Sequence, residues 1–161
     1  MSATDLENTL YLDVPAGRVV IELRPDLAPG HVARIKELAR QKFYDGIVFH
    51  RVIPGFMAQT GDPRGDGTGG SGKKLKAEFN SAKHVRGTAS MARAQSPDSA
   101  DSQFFICFKP APFLDGKYTV WGQVTSGMEH IDAIKKGDAN RNGAVDNPDN
   151  IIRMQVAADA E

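Results

Sequence analysis

Nine prolines and 16 glycines cut this 161-residue chain into short pieces, and most of the pieces read as β-strand. Proline fixes φ and lacks an N–H, while glycine loosens the backbone, so neither suits the interior of a long regular element. Residues 9–14 and 18–23 predict a hairpin closed by Pro15-Ala16-Gly17. Further strands are expected at 47–51 and 56–60, around a Pro54-Gly55 turn, and at 88–91, 103–108, 118–124 and 151–157. Two segments follow another rhythm. Residues 30–43 space Val32, Ile35, Leu38 and Ala39 as a helix does, with Pro29 suited to the first turn and Tyr44-Asp45-Gly46 ending it. Residues 127–136 place Met128, Ile131 and Ile134 on one face of a shorter helix. Many short strands and two helices predict a closed or nearly closed antiparallel sheet with its ends covered by the helices. No repeat or linker interrupts the pattern, so one domain spanning 1–161 is expected.

Charge excludes some partners. Lys plus Arg number 20 and Asp plus Glu number 20, which gives no net field toward nucleic acid or an anionic membrane. No apolar run approaches the roughly 18 residues of a spanning helix, and residues 1–9, with Asp5 and Glu7, do not read as a secretory signal. The single cysteine, Cys107, cannot form an internal disulfide, which fits a reducing, cytoplasmic setting. Its neighbours Phe104, Phe105, Ile106 and Phe108 predict an inert thiol carried on a strand.

One stretch is far more specific than composition. Residues 49–62 read Phe-His-Arg-Val-Ile-Pro-Gly-Phe-Met-Ala-Gln-Thr-Gly-Asp, and this segment resembles the signature of the cyclophilin family. The family's other blocks follow in order: Gly67-Thr68-Gly69-Gly70, Ser90-Met91-Ala92, Ser102 to Ile106, Leu114-Asp115-Gly116-Lys117 and Val120-Trp121-Gly122. The resemblance covers about residues 10–156. It implies a mainly β, closed eight-stranded antiparallel barrel capped by two helices, with an active groove on the outer face. The implied activity is cis/trans isomerisation of X-Pro bonds in peptides and folding proteins, by a monomer that needs no metal or cofactor. The short 41–46 connection is similar to that of compact bacterial members. Departures are Arg93 where many relatives carry Asn, Tyr118 where His is common, Phe113 where some carry Trp, and Trp121 where Phe is usual.

The chemistry asks little of a catalyst. Twisting a peptide bond costs about 18–20 kcal/mol in lost resonance, and no covalent bond breaks. A catalyst must hold the proline ring and favour the twisted amide over both planar forms. The imide nitrogen regains a lone pair as resonance is lost, and a permanently protonated guanidinium is a suitable donor to it. The resemblance assigns this role to Arg51, with Phe56 and Gln59 beside it. It assigns the proline pocket to Phe56, Met57, Phe105, Leu114 and Tyr118, with Phe113 at the rim; taken alone, most of these residues read as core. Phe104 and Phe105, adjacent on a strand, must face opposite ways. Gln59 is expected to orient Arg51 or to bind substrate backbone. The backbone of Ala92 and Arg93 is expected to pair with the residue before proline. Gly67, Thr68, Ala94 and Gln103 border a shallower second subsite, and Trp121 belongs to the core. In relatives sensitive to cyclosporin a Trp stands at the position of Phe113, so weak binding of that cyclic peptide is expected.

Weaker motifs carry less. Residues 67–73 spell Gly-x-x-x-x-Gly-Lys, but Lys74 stands where a phosphate-binding loop needs Ser or Thr. Asp138, Asn140, Asn142, Gly143 and Asp149 sit at calcium-loop spacing, yet Pro148 intrudes and the charge is low, so a polar turn is expected. The rival reading is a proline-peptide binding module or holdase. Arg51, Phe56 and Gln59 argue for the enzyme, because ring binding alone needs no arginine.

Overall fold

The computed structural model describes residues 6–160, so part of the stretch read as lacking a secretory signal lies outside it. Strands β1 (Thr9–Val14) and β2 (Gly17–Leu23) form the expected hairpin, pairing Val14 with Gly17. Alternation turns Leu10, Leu12, Val14, Val19, Ile21 and Leu23 into the core. Helix α1 (Pro29–Arg40) follows, with Pro29 in its first turn. Ala28 offers no side-chain cap there. Instead the Glu78 carboxylate, far along the chain, accepts the N–H groups of Gly30 and His31 at 3.0 and 2.7 Å. Then come β3 (Arg51–Ile53), β4 (Met57–Thr60), β5 (Thr88–Met91), β6 (Phe104–Cys107) and β7 (Val120–Ser126). Short helix α2 (Met128–Asp132) begins at Gly127, whose φ of +83° and close approach to the Arg18 carbonyl both require glycine. Strand β8 (Arg153–Val156) completes the order.

All eight strands belong to one antiparallel sheet, ordered β3-β4-β6-β5-β7-β2-β1-β8. The expected closed barrel is corrected here: the sheet curls, but its end strands β3 and β8 do not pair. These edge strands are short, three and four residues. Irregular segments fill the seam instead. Phe49 N–H donates to the Asp149 carbonyl, and Val52 N–H to the Gly143 carbonyl, each at 2.8 Å. For the same reason residues 47–50 form no strand, and Val48 makes only an isolated bridge to Asn150. Helix α1 packs on β8 and α2 on β2.

The core is continuous. Trp121, fully buried, meets Phe104 edge-on at 5.4 Å, and Phe104 meets Tyr44 at 5.5 Å. Such contacts contribute about 0.5–1.5 kcal/mol each beyond burial. Trp121 is therefore core, as expected. Cys107 is buried on β6, and burial pushes its thiol up to about 12.

Candidate active site

Strand alternation sorts the side chains of β3, β4 and β6 between two faces. Val52, Ala58, Phe104 and Ile106 join the main core, while Met57, Phe105 and Cys107 form a second apolar cluster with Ala111 and Leu114. Phe104 and Phe105 thus face opposite ways, as the sequence requires. The register places Arg51 opposite Gln59 and Gln59 opposite Phe105, so one outward row crosses three strands.

That row is wired together. Arg51 donates from Nη1 to Gln59 Oε1, and from Nε and Nη2 to the carbonyl and side chain of Asn142, all at 3.0 Å. Gln59 Nε2 donates to Gln103 Oε1 at 2.9 Å, and Gln103 Nε2 donates to the carbonyls of Gly67 and Gly69. A guanidinium has more N–H groups than these bonds use, so both Nη atoms keep a donor for a ligand. Burial lowers the pKa of Arg51 from its ordinary value, but a guanidinium starts so high that it stays charged at neutral pH.

Beside this fork lies a groove of about 460 Å³, lined by Arg51, Phe56, Met57, Gln59, Ala92, Arg93, Phe105, Phe113, Leu114, Lys117 and Tyr118. Phe113 is 62% exposed and tilts against Phe56, with centroids 5.5 Å apart, which puts it at the rim. Arg93 closes one wall. Its guanidinium lies 4.7 Å from the Tyr118 ring centre and donates to the Lys117, Ala94 and Gln95 carbonyls. A second pocket of about 310 Å³ adjoins the first across Gln59, Ala92 and Arg93, and its lining adds Gly67, Thr68, Ala94 and Gln103. Every residue expected at the site therefore lines one pocket or the other. The Gly67–Gly70 loop wraps carboxylates of the chain itself. Asp62 accepts N–H groups of Arg64, Asp66 and Gly67, and Asp101 those of Ser71 and Gly72. Burial acts upward on Asp62, yet these N–H groups hold its carboxyl below the ordinary value.

The sequence model of the cyclophilin type peptidyl-prolyl cis-trans isomerase family matches residues 9–156. The chain belongs to the cyclophilins. It is 55% identical to a probable peptidyl-prolyl cis-trans isomerase of Brucella suis, over 99% of this chain and 88% of the relative. Identity to peptidyl-prolyl cis-trans isomerase B of Bacillus subtilis is 47%, over 80% of this chain and 90% of that one. Its fold is similar to a crystal structure of a cyclophilin from Hirschia baltica, with a TM-score of 0.87 at 26% identity, covering 98% of this chain and 76% of that one. A Cryptosporidium parvum cyclophilin type isomerase, crystallised in the presence of the dipeptide Ala-Pro, superposes with a TM-score of 0.85 at 27% identity. That match covers 92% of this chain and 98% of the other.

Several residues that shape this cyclophilin's site were not anticipated from its sequence. Asn142 holds Arg51 from 91 residues away. His84 lies beneath Phe105 and Tyr118, with ring centroids 6.0 and 6.5 Å away. Lys117 reaches the first pocket and Lys74 the second. Lys117 stood inside a recognised block, Lys74 and Asn142 fell in the weak phosphate-loop and calcium-loop spacings, and His84 belonged to no motif.

Proposed function

We infer that this cyclophilin accelerates cis/trans isomerisation of X-Pro bonds in peptides and folding proteins, without a covalent intermediate, metal or cofactor. The observation that carries the reading is a charged guanidinium, Arg51, fixed at the edge of an apolar groove with N–H groups to spare. A proline ring seated on Phe56, Met57, Phe105, Leu114 and Tyr118 is held while the preceding carbonyl turns. Arg51 donates to the imide nitrogen as it becomes pyramidal, an interaction absent in either planar form. One charge-assisted bond contributes about 1.5–3 kcal/mol, and each decade of rate needs about 1.4 kcal/mol. Arg51 therefore accounts for one to two decades, and orientation of the ring for the remainder.

Gln59 keeps Arg51 aimed, and the backbone of Ala92 and Arg93 pairs with the residue before proline. The working unit is a monomer, and the single buried thiol fits a cytoplasmic setting. A protease-coupled assay on a short Ala-Pro peptide tests the activity. Turnover well above the uncatalysed rate supports it; binding without turnover would make the chain a proline-peptide module or holdase.

A further inference from the structure

The second pocket carries charge that the first does not explain. Lys74 lines it, is exposed, and makes no ion pair or hydrogen bond through its ammonium group among the described residues. Arg93 lines it too, and its guanidinium meets carbonyls rather than carboxylates. One carboxylate, Asp101, lines the pocket as well, and its oxygens are engaged within the protein. Asp101 accepts Ser71 N and Oγ at 2.8 and 2.5 Å and Gly72 N at 3.0 Å, with Arg34 at 4.0 Å. Asp66 turns to Thr68, and Asp98 to the Ala77 N–H. Although the whole chain has zero formal charge, this concavity sets two cations, Lys74 and Arg93, against the one carboxylate of Asp101.

Geometry says which substrate residue meets them. An extended peptide puts alternate side chains on one side, with a rise of about 3.3 Å per residue. If proline fills the first pocket and its predecessor pairs with Ala92 and Arg93 between the pockets, the side chain two places before proline points into the second. We propose that Lys74, backed by Arg93, selects substrates with Asp or Glu two residues before the proline, making acidic-X-Pro sequences the preferred substrate class. The proposal rests on the isomerase reading and on that seating of the peptide.

The test is kcat/KM for three peptides, Glu-Ala-Pro-Phe, Gln-Ala-Pro-Phe and Lys-Ala-Pro-Phe, with wild type, Lys74→Ala and Lys74→Glu. Wild type should favour the Glu peptide over the Lys peptide by about three- to tenfold at low salt. That ratio should collapse near 1 M salt, where the screening length falls to about 3 Å. Lys74→Ala should reduce the ratio, and Lys74→Glu should bring it to about one or below. Equal turnover of the three peptides by wild type, or a ratio unmoved by Lys74→Glu, would overturn the selectivity while leaving the isomerase reading intact. A wild type that turned over none of them would overturn both.

Discussion

The His84 imidazole lies nearly parallel to the Phe105 ring, with centroids 6.0 Å apart and planes 17° apart. Tyr118 meets the two rings edge-on at 6.5 and 5.8 Å. His84 is itself fixed, with Nδ1 3.0 Å from Asp115 Oδ1 and Nε2 2.9 Å from Ser90 Oγ. The floor of the groove therefore stands on a buried polar post. His84→Ala should leave a void under Phe105 and two polar partners unmatched, destabilising the fold by roughly 2–5 kcal/mol. It should also lower kcat/KM by roughly tenfold through misplaced Phe105 and Tyr118. Urea unfolding reads the first effect. Kinetics measured well below the variant's Tm read the second, and unchanged kcat/KM there would show that the post does not position the groove.

Arg51 and Gln59 should behave as one unit. Arg51→Ala is expected to lower turnover by about one to two decades while the fold persists. Arg51→Lys should also be poor, because an ammonium cannot reproduce the planar fork that spans Gln59 and Asn142. Gln59→Leu removes one anchor and should cost about tenfold. The double variant Arg51→Ala with Gln59→Leu should be scarcely worse than Arg51→Ala alone. Losses that simply multiplied would mean that Gln59 does not act through Arg51.

Acid should weaken the fold in a defined window. Burial lowers the pKa of His31, His50 and His84, against opposing pulls from Glu78, Asp62 and Asp115. The unfolded chain then takes up these protons at higher pH than the folded one. The corresponding stability is complete above the unfolded value of about 6.5 and is lost as pH falls through the lower folded values. Asp62 and Glu78, whose carboxyls are held below their ordinary values despite burial, extend the loss further into acid. Thermal melts should show a level Tm from about pH 7 to 8 and a decline from about 6.5 to 5. A Tm that rose on acidification over that interval would contradict the assignment.

How much of this was legible in the sequence depends on distance along the chain. Period-two alternation separates Phe104 from Phe105 from the sequence alone, because neighbouring strand residues must face apart. Helical spacing found α1, although it ran past the observed end at Arg40 into a series of turns. The strand expected at 47–51 failed because Ile47 and Phe49 bond to the irregular residues 149 and 151, a partnership that local pattern cannot announce. The same blindness hid Asn142 and Glu78, whose partners are tens of residues away. Closure of the barrel was overstated on similar grounds: short apolar runs reveal strands but not whether the last meets the first. Lys74 read only as a defect in a phosphate loop. Its place in the lining of the second pocket depends on the Gly67–Gly70 loop folding onto Asp62 and Asp101.

Cyclosporin should bind this cyclophilin weakly, and Phe113 is the reason. Its ring, 62% exposed at the lip of the groove and leaning on Phe56, offers an apolar face and no donor. A Trp there would supply an indole N–H to the inhibitor's backbone. Losing one neutral hydrogen bond costs about 0.5–1.5 kcal/mol, and an acceptor left unpaired in a closed interface adds roughly 1–3. Together these predict affinity weaker by about one to three decades. Peptide turnover should hardly depend on the same exchange, because the floor of the groove is built by Met57, Phe105 and Leu114, which are buried where Phe113 is not. Phe113→Trp should therefore tighten inhibition. Arg93, held over Tyr118 across the groove, occupies space that an Asn would leave open, so recovery should be partial. Inhibition titrations of wild type and Phe113→Trp against one peptide decide the matter. Equal inhibition constants would show that the lip residue is not the determinant and would move the search to Arg93 and Tyr118.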